Sequence, residues 1–237
     1  MKMKNKGAVQ FEAKQKHIAD LKAAKQRRSV EPTFERVASV KLVKPTILIV
    51  CEGEKTEPSY FRHFKLVTAK IKAIGKGYNT VSLVNQATVL SEERTYDQVW
   101  CVFDKDHFPA NDFNDAITIA EANNFSVAYS NQAFEYWLIL HFEDHQGGGM
   151  NRNEYNQTIN KYINPLGANY DGKGSKMITE DFFEILDGID TKTNKPRTEL
   201  AILRSKRNYN LLTHTSPATE ESSTTVFRLV EEILKYT

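Results

Sequence analysis

Cysteine is nearly missing from this chain: there are two in 237 residues. Two cysteines cannot build a disulfide framework, and their scarcity fits a reducing compartment, so a cytoplasmic location is expected. No apolar run approaches the roughly 20 residues that a membrane-spanning helix needs. The N-terminus lacks the apolar core of a secretory signal, so neither secretion nor a membrane partner is expected. No Cys-x-x-Cys pair and no histidine cluster occurs in the sequence, which sets zinc aside. No repeat or heptad pattern points to a solenoid or a coiled coil. What is present is 40% hydrophobic residues on a length that fits one elaborated domain, or a core with a small appendage. Such a chain buries roughly 70% of the surface it exposes unfolded, so it needs no staples.

The net charge of +2 conceals an asymmetry. Residues 1–44 carry 12 Lys and Arg against 4 Asp and Glu, while the remaining 193 carry 20 against 26. A basic arm on a mildly acidic body suits contact with nucleic acid or another polyanion, and equally suits a solvated tail. The polar, Lys-rich stretch over 11–28 has helical character, to be formed free or on a partner.

The pattern beyond the arm divides the chain into 45–144 and 145–237. Residues 46–51 (TILIVC) form an unalternating β-branched run, the mark of a central strand covered on both faces. Apolar positions at 60, 61, 64, 67 and 71 then predict a helix over 57–74, with Pro58 in its first turn. A strand over 80–84 and a short helix over 87–96 follow. Residues 98–103 (QVWCVF) make a second buried strand, 111–122 a helix capped by Asn111 or Asp112, 125–129 a strand, and 132–142 an apolar helix. This alternation predicts an α/β fold with a doubly wound, mainly parallel sheet. Residues 150–173 show no strong period. Helical patterns over 176–186, 199–212 and 224–236 predict a helical extension packed on the core.

Both buried strands end in acids: Glu52-Gly53 after one, Asp104-Lys105-Asp106 after the other. In an open parallel sheet the functional crevice lies beyond the carboxyl ends of the strands. If these two are neighbours, three carboxylates meet there and repel one another unless a cation intervenes. Hard oxygen donors in that number suit Mg²⁺ or Mn²⁺. On a strand, residues i and i+2 face one side, so Asp104 and Asp106 can address one ion while Lys105 points away. Any one of these acids alone would equally serve as a helix cap or a surface charge. Glu135 is a further acid, set in an apolar helix where an unpaired charge is costly. It stands either in the same crevice, as a ligand or behind one, or only against the helix dipole.

Lys55 opens the first helix, where an anion binds readily, and Arg62 lies farther along it. Residues 172–176 (GKGSK) resemble a phosphate loop without meeting the Walker spacing, so ATP hydrolysis is rejected. Lys173 and Lys176, with Arg204 and Arg207, make a second basic group, a nucleic-acid contact or an ordinary solvated face. Asn131 reads first as a helix cap and second as a residue lining the site. His63, His107 and His141, beside aromatic residues, read as structural, and Cys51 and Cys101 as core.

Four stretches carry a resemblance: 47–64 (ILIVCEGEKTEPSYFRHF), 99–108 (VWCVFDKDHF), 130–143 (SNQAFEYWLILHFE) and 224–233 (TTVFRLVEEI). In this order they resemble the RloB-like family, whose fold is similar to the Toprim module of primases, topoisomerases and overcoming-lysogenization-defect nucleases. The resemblance implies that Glu52 is the Toprim glutamate, a metal ligand or acid/base, and that Asp104 and Asp106 bind Mg²⁺. It also places a glutamate at the position of Glu135. It implies nuclease activity on RNA or DNA, a role in abortive infection and antiphage defence, and an AAA-type ATPase partner of the RloA-like kind. No tyrosine stands out as a topoisomerase nucleophile, which favours hydrolysis over strand transfer. Two other readings compete. A phosphatase with a nucleophilic aspartate is disfavoured by Phe108, where that pattern wants Thr or Val. A non-enzymatic nucleic-acid-binding or regulatory subunit of the ATPase complex is the other. A homo-oligomer stays open.

Overall fold

The structure, a computed structural model, describes residues 6–28, 44–73, 80–105 and 109–237. It divides into two units, Met1–Leu42 and Val43–Thr237. The first holds α1 (Lys6–Arg28), so the helix expected over 11–28 begins earlier, at Lys6. Its described side chains, residues 11–23, are all exposed, Phe11 and Leu21 included. The rest of the basic arm, residues 29–43, lies outside the described residues.

In the second unit the chain runs β1 (Ile47–Cys51), α2 (Thr56–Arg62), β2 (Ala69–Ala73), α3 (Thr80–Glu92), β3 (Gln98–Asp104), α4 (Ala110–Ala122), β4 (Ser126–Asn131) and α5 (Glu135–Ile139). It continues through α6 (Arg152–Ile163), α7 (Glu180–Asp187), β5 (Ile189–Asp190), β6 (Lys195–Pro196), α8 (Arg197–Asn210), β7 (Ser223–Thr224) and α9 (Val226–Leu234). The main sheet has the order β2-β1-β3-β4-β7, with β7 antiparallel to β4 and every other pairing parallel. β5 and β6 form a separate small hairpin. This is an α/β fold on a mainly parallel sheet, consistent with a Toprim-like doubly wound arrangement.

β1 shows why the sheet is wound on both faces. All five of its residues are fully buried. Ile47, Ile49 and Cys51 join one apolar layer with Trp100, Val102 and side chains of α2, α5, α6 and α9. Leu48 and Val50 join the other, with Val99, Cys101 and Phe103 of β3 against α3 and α4. Successive strand residues point to opposite faces, so an unbroken apolar run supplies both layers at once.

Three elements differ from the sequence expectation. The helix predicted over 57–74 stops at Arg62. Lys65 takes φ +52° and turns the chain, and β2 follows. Val67, read as part of an apolar stripe, is 98% exposed. The sequence AKIKA alternates instead, as suits a half-exposed edge strand guarded by lysines. The strand predicted over 80–84 is the start of α3. Its β-branched residues suggest a strand, but Leu83, Val84, Ala87 and Leu90 are buried along one helical face, and that period prevails. Residues 150–173 contain α6, capped by the Asn151 side chain on the Asn153 N–H at 2.9 Å, with Tyr155, Ile159 and Ile163 buried at every fourth position. Its polar remainder hid that stripe. Smaller shifts affect the caps. α4 begins at Ala110 after Pro109, so Asn111 and Asp112 lie inside its first turn. Asn131 does not cap α5; its amide donates to the carbonyls of Pro217 and Ala218.

The chain beyond residue 144 is built into the core. β7 pairs with Ser130 and Asn131 of β4, the Thr225 N–H donates to Tyr129 O at 2.8 Å, and α6, α7 and α9 bury residues in the same layer as β1. Among the described residues, no helix is long and apolar enough to cross a membrane.

Candidate active site

β1 and β3 are neighbours, and their carboxyl ends meet at the point where the strand order reverses. Cys51 is level with Val102, and the Glu52 N–H donates to Val102 O at 2.9 Å. The Glu52 carboxylate crosses to β3 and accepts the Asp104 N–H on Oε2 at 3.2 Å. Asp104 stands level with Ser130 of β4, and its own carboxylate accepts the N–H of Phe134, just before α5. α5 is thereby tied to the end of β3, which places Glu135, its first residue, on the same rim.

A further acid joins them. Glu57, second residue of α2, is buried, and its carboxyl group folds back over Gly53. A β-carbon on residue 53 would lie 2.1 Å from Glu57 Oε2, so glycine is what leaves room. Burial raises the Glu57 carboxyl to about 7, helped by the charges of Glu135 and Glu52 and opposed by the N–H groups of Glu57 itself and Gly53. Asp104 is pushed well above the ordinary aspartate value, first by burial and then by Glu57, Glu135 and Glu52. Glu52 is raised by burial against the Asp104 N–H bond. Four carboxyl groups thus repel one another at the carboxyl edge of the sheet.

Tyr170, from the segment between α6 and α7, closes the cluster from the other side. Its hydroxyl donates to Glu135 Oε1 at 2.7 Å and lies 3.3 Å from Thr56 Oγ1. Burial, then the Glu135 charge, keeps that hydroxyl protonated. Asn160 of α6 holds the Tyr170 backbone at both its N–H and its carbonyl, at 2.8 and 2.7 Å.

The basic candidates separate. Asp171 accepts the N–H groups of Gly174 and Ser175 and so folds the loop carrying Lys173 and Lys176. Those bonds depress the Asp171 carboxyl, and the charge of Lys55 adds to the effect; the hydroxyls of the adjoining residues Thr56 and Tyr170 lie 3.3 Å apart, which brings Lys55 near this loop. Arg62 is exposed at the far end of α2 from Glu57. Arg204 and Arg207 face elsewhere. Arg204 donates to Leu140 O at 2.7 Å, and Arg207 binds Asp144 at 2.7 Å and His145 O at 2.9 Å, so both guanidinium groups hold the segment after α5.

The structure thus brings Glu52, Asp104 and Glu135 to one rim. Asp106 and His107 lie outside the described residues. His63 bonds to Ile178 O and stacks on Phe183, and buried His141 bonds to Trp137 O, both as structural residues do. Sequence reasoning missed Glu57 and Tyr170. Glu57 falls in the polar opening of α2, where an acid by itself marks no site. The signal was the close succession of acids in EGEKTE, which a seven-residue helix carries back toward the strand end. Tyr170 sits in a stretch without periodicity and left no signal.

Residues 47–233 match the family model described as RloB-like protein. The chain belongs to the RloB-like family. No curated protein and no solved structure matches it. Carboxylate oxygens are the donor type that Mg²⁺ and Mn²⁺ accept, and mutual repulsion among four acids is what such a cation relieves, so the donor set of this RloB-like protein fits one chemically. Among the described residues, no group of three or more His, Cys, Asp or Glu is arranged to hold a metal ion.

Proposed function

We propose that this RloB-like protein is a divalent-cation-dependent nuclease that hydrolyses phosphodiester bonds in RNA or DNA. The observation that supports this reading best is the gathering of Glu52, Glu57, Asp104 and Glu135 where β1 and β3 end, with raised carboxyl pKa values on the first three. Repelling acids at a sheet's functional edge favour a site completed by a cation and a phosphate. Mg²⁺ or Mn²⁺ is the cofactor proposed, with Glu52, Asp104 and Asp106 as ligands.

A bound divalent cation supplies positive charge against the non-bridging oxygens of the scissile phosphate. The chain's own residues do the rest. Glu52, once it turns from the Asp104 N–H, takes the proton of the attacking water as the water oxygen bonds to phosphorus; the bond from phosphorus to the departing sugar oxygen breaks, and that oxygen is protonated from solvent. Glu57 holds a proton near neutrality and gives it up as positive charge enters. Glu135, oriented by the Tyr170 hydroxyl, fixes the far side of the cluster. Lys55 and the loop of Lys173 and Lys176 lie beside one another where the flanking nucleic-acid backbone would pass.

The family resemblance supports a role in antiphage defence alongside an AAA-type ATPase of the RloA-like kind. The test is cleavage of transfer RNA, messenger RNA, and single- and double-stranded DNA in Mg²⁺ and in Mn²⁺, with and without that ATPase. Glu52→Gln and Asp104→Asn serve as controls. Cleavage that both variants retain overturns the proposal. A second reading makes the chain a regulatory subunit whose acids serve the fold. Its favouring observation is that Glu52 and Glu135 already have partners within the protein. Calorimetry separates the two, since only the nuclease reading requires Mg²⁺ binding.

A further inference from the structure

A cleft of about 870 Å³ opens on the β4 side of the acid cluster, lined among others by Lys105, Gln132, Met150, Arg152, Asn153 and Glu221. Three links place it next to the acids. Lys105 directly follows Asp104, and its N–H donates to Ser130 O at 2.8 Å. Gln132 is two residues from Phe134, whose N–H binds the Asp104 carboxylate. Tyr155, on the first turn of α6, donates its hydroxyl to the carbonyl of Met150, a lining residue, at 3.2 Å, and the Asp104 charge bears on that same hydroxyl.

The walls are cross-braced. Gln132 Oε1 accepts the Arg152 N–H at 3.0 Å, the Met150 N–H donates to Ser222 Oγ at 3.0 Å, and the Ser222 N–H donates to Gly148 O at 2.9 Å. Three separate segments of chain are thus pinned around one space. The volume lies in the range of about 300–1,000 Å³ that takes a whole small ligand.

The lining chemistry narrows the occupant. A bare phosphate needs donors only, and Glu221 opposes it. Lys105 and Arg152 together with Glu221, the amides of Gln132 and Asn153, and the thioether of Met150 instead match a mixed ligand. Cations suit a phosphate, amides pair with the donor and acceptor edge of a nucleobase, a carboxylate accepts from an exocyclic amine or a sugar hydroxyl, and the thioether gives the ring an apolar face. A base held in a duplex is stacked and paired and cannot enter such a cleft without being turned out.

We propose that this cleft receives an unpaired nucleotide flanking the scissile phosphate, which makes the substrate a single-stranded segment of nucleic acid. The proposal rests on the nuclease reading for its biological sense, but it is tested by binding alone. Fluorescein-labelled oligouridine, oligothymidine and a duplex of equal length are titrated with the full chain in EDTA, and anisotropy is read. At least one single strand binds about tenfold more tightly than the duplex, and Asn153→Ala and Gln132→Ala each weaken that binding several-fold while leaving duplex binding unchanged. Tight binding of either sugar supports the proposal, and the better binder identifies the substrate. Equal affinity for single strand and duplex overturns it, as does unchanged single-strand binding in both variants. Should Gln132→Ala lower the melting temperature through the lost bond to Arg152, Asn153→Ala at the exposed rim carries the test. Because no divalent ion is present, failure here leaves metal-dependent cleavage untouched, and a chain that never cleaves can still pass.

Discussion

Gly53 and the carboxyl group of Glu57 share one space: a β-carbon on residue 53 would stand 2.1 and 2.6 Å from the two carboxyl oxygens. The conflict is with the far end of a flexible side chain, so the backbone need not move. Gly53→Ala therefore expels the Glu57 carboxylate rather than unfolding the protein. A melting temperature within a few degrees of wild type is expected, with cleavage down on the order of 10²-fold, as for other small displacements of a reacting group. The double variant Gly53→Ala/Glu57→Ala is no worse than Gly53→Ala alone, because the first change has already removed what the second removes. Thermal melts by circular dichroism and the cleavage assay read both outcomes, and full activity in Gly53→Ala would sink the assignment of Glu57.

The raised carboxyl groups set the pH dependence of stability. Glu57, Asp104 and Glu52 each bind protons in the folded chain at pH values where the unfolded chain has released them. Stability therefore falls as pH rises from the unfolded carboxylate value toward the folded one, about 7 for Glu57, and levels off above it. Each pKa unit corresponds to about 1.4 kcal/mol, so the group contributes a few kcal/mol in total. Differential scanning calorimetry of the ion-free protein should show the melting temperature falling between about pH 5 and pH 7. Glu57→Gln, which cannot ionise, flattens that slope.

A cation that binds these acids must displace their protons. Titration of Mg²⁺ near neutral pH should release protons, read as a difference in apparent binding enthalpy between two buffers of unlike ionisation enthalpy. Glu57→Gln reduces the release. An enthalpy independent of buffer would mean that the acids are already ionised, or that no ion reaches them.

How far the sequence carries this site depends on the kind of signal each residue leaves. β1 and β3 are legible because a buried parallel strand must be apolar on both faces, and the acids that end them follow directly. Glu135 is legible because a charge in an apolar helix demands a partner, and Tyr170 is that partner. The partner itself is not legible, since it arrives from a polar stretch held by Asn160, and side-chain bonds between distant segments have no period. β2 and α3 are misread for a related reason. Around residues 60–71 apolar spacing fits a helix until Lys65 turns left-handed, and over 80–92 β-branched composition argues for a strand against a helical stripe. Edge position and long-range packing decide both, and neither is written locally.

Tyr170 supplies the donor that steadies Glu135. Tyr170→Phe removes that hydroxyl and leaves a carboxylate lacking one charged hydrogen bond, worth about 1.5–3 kcal/mol. A lower melting temperature is expected in Tyr170→Phe. The distinguishing readout is the pH–rate profile, whose limbs shift in Tyr170→Phe because Glu135 now bears differently on Asp104 and Glu57. Asn160→Ala, which frees the Tyr170 backbone, should reproduce the direction of the effect. A profile identical to wild type in both variants would reduce Tyr170 to packing.

Lys173 and Arg204 look alike in the sequence and should behave oppositely. Lys173 sits on an exposed loop beside Lys55, whereas the Arg204 guanidinium is held by Leu140 O and by Asp144 at 3.9 Å. Each phosphate contact that is lost lowers the slope of log affinity against log salt by about 0.7–0.9, while a structural arginine leaves that slope alone. Lys55→Ala and Lys173→Ala should therefore weaken nucleic-acid binding and flatten its salt dependence without moving the melting temperature. Arg204→Ala should lower the melting temperature, because the Leu140 carbonyl loses its donor and α8 its tie to the segment after α5, and should keep the wild-type salt slope. Anisotropy titrations at several salt concentrations, paired with thermal melts, read all three variants. A flattened slope in Arg204→Ala with unchanged melting would return that residue to the binding surface.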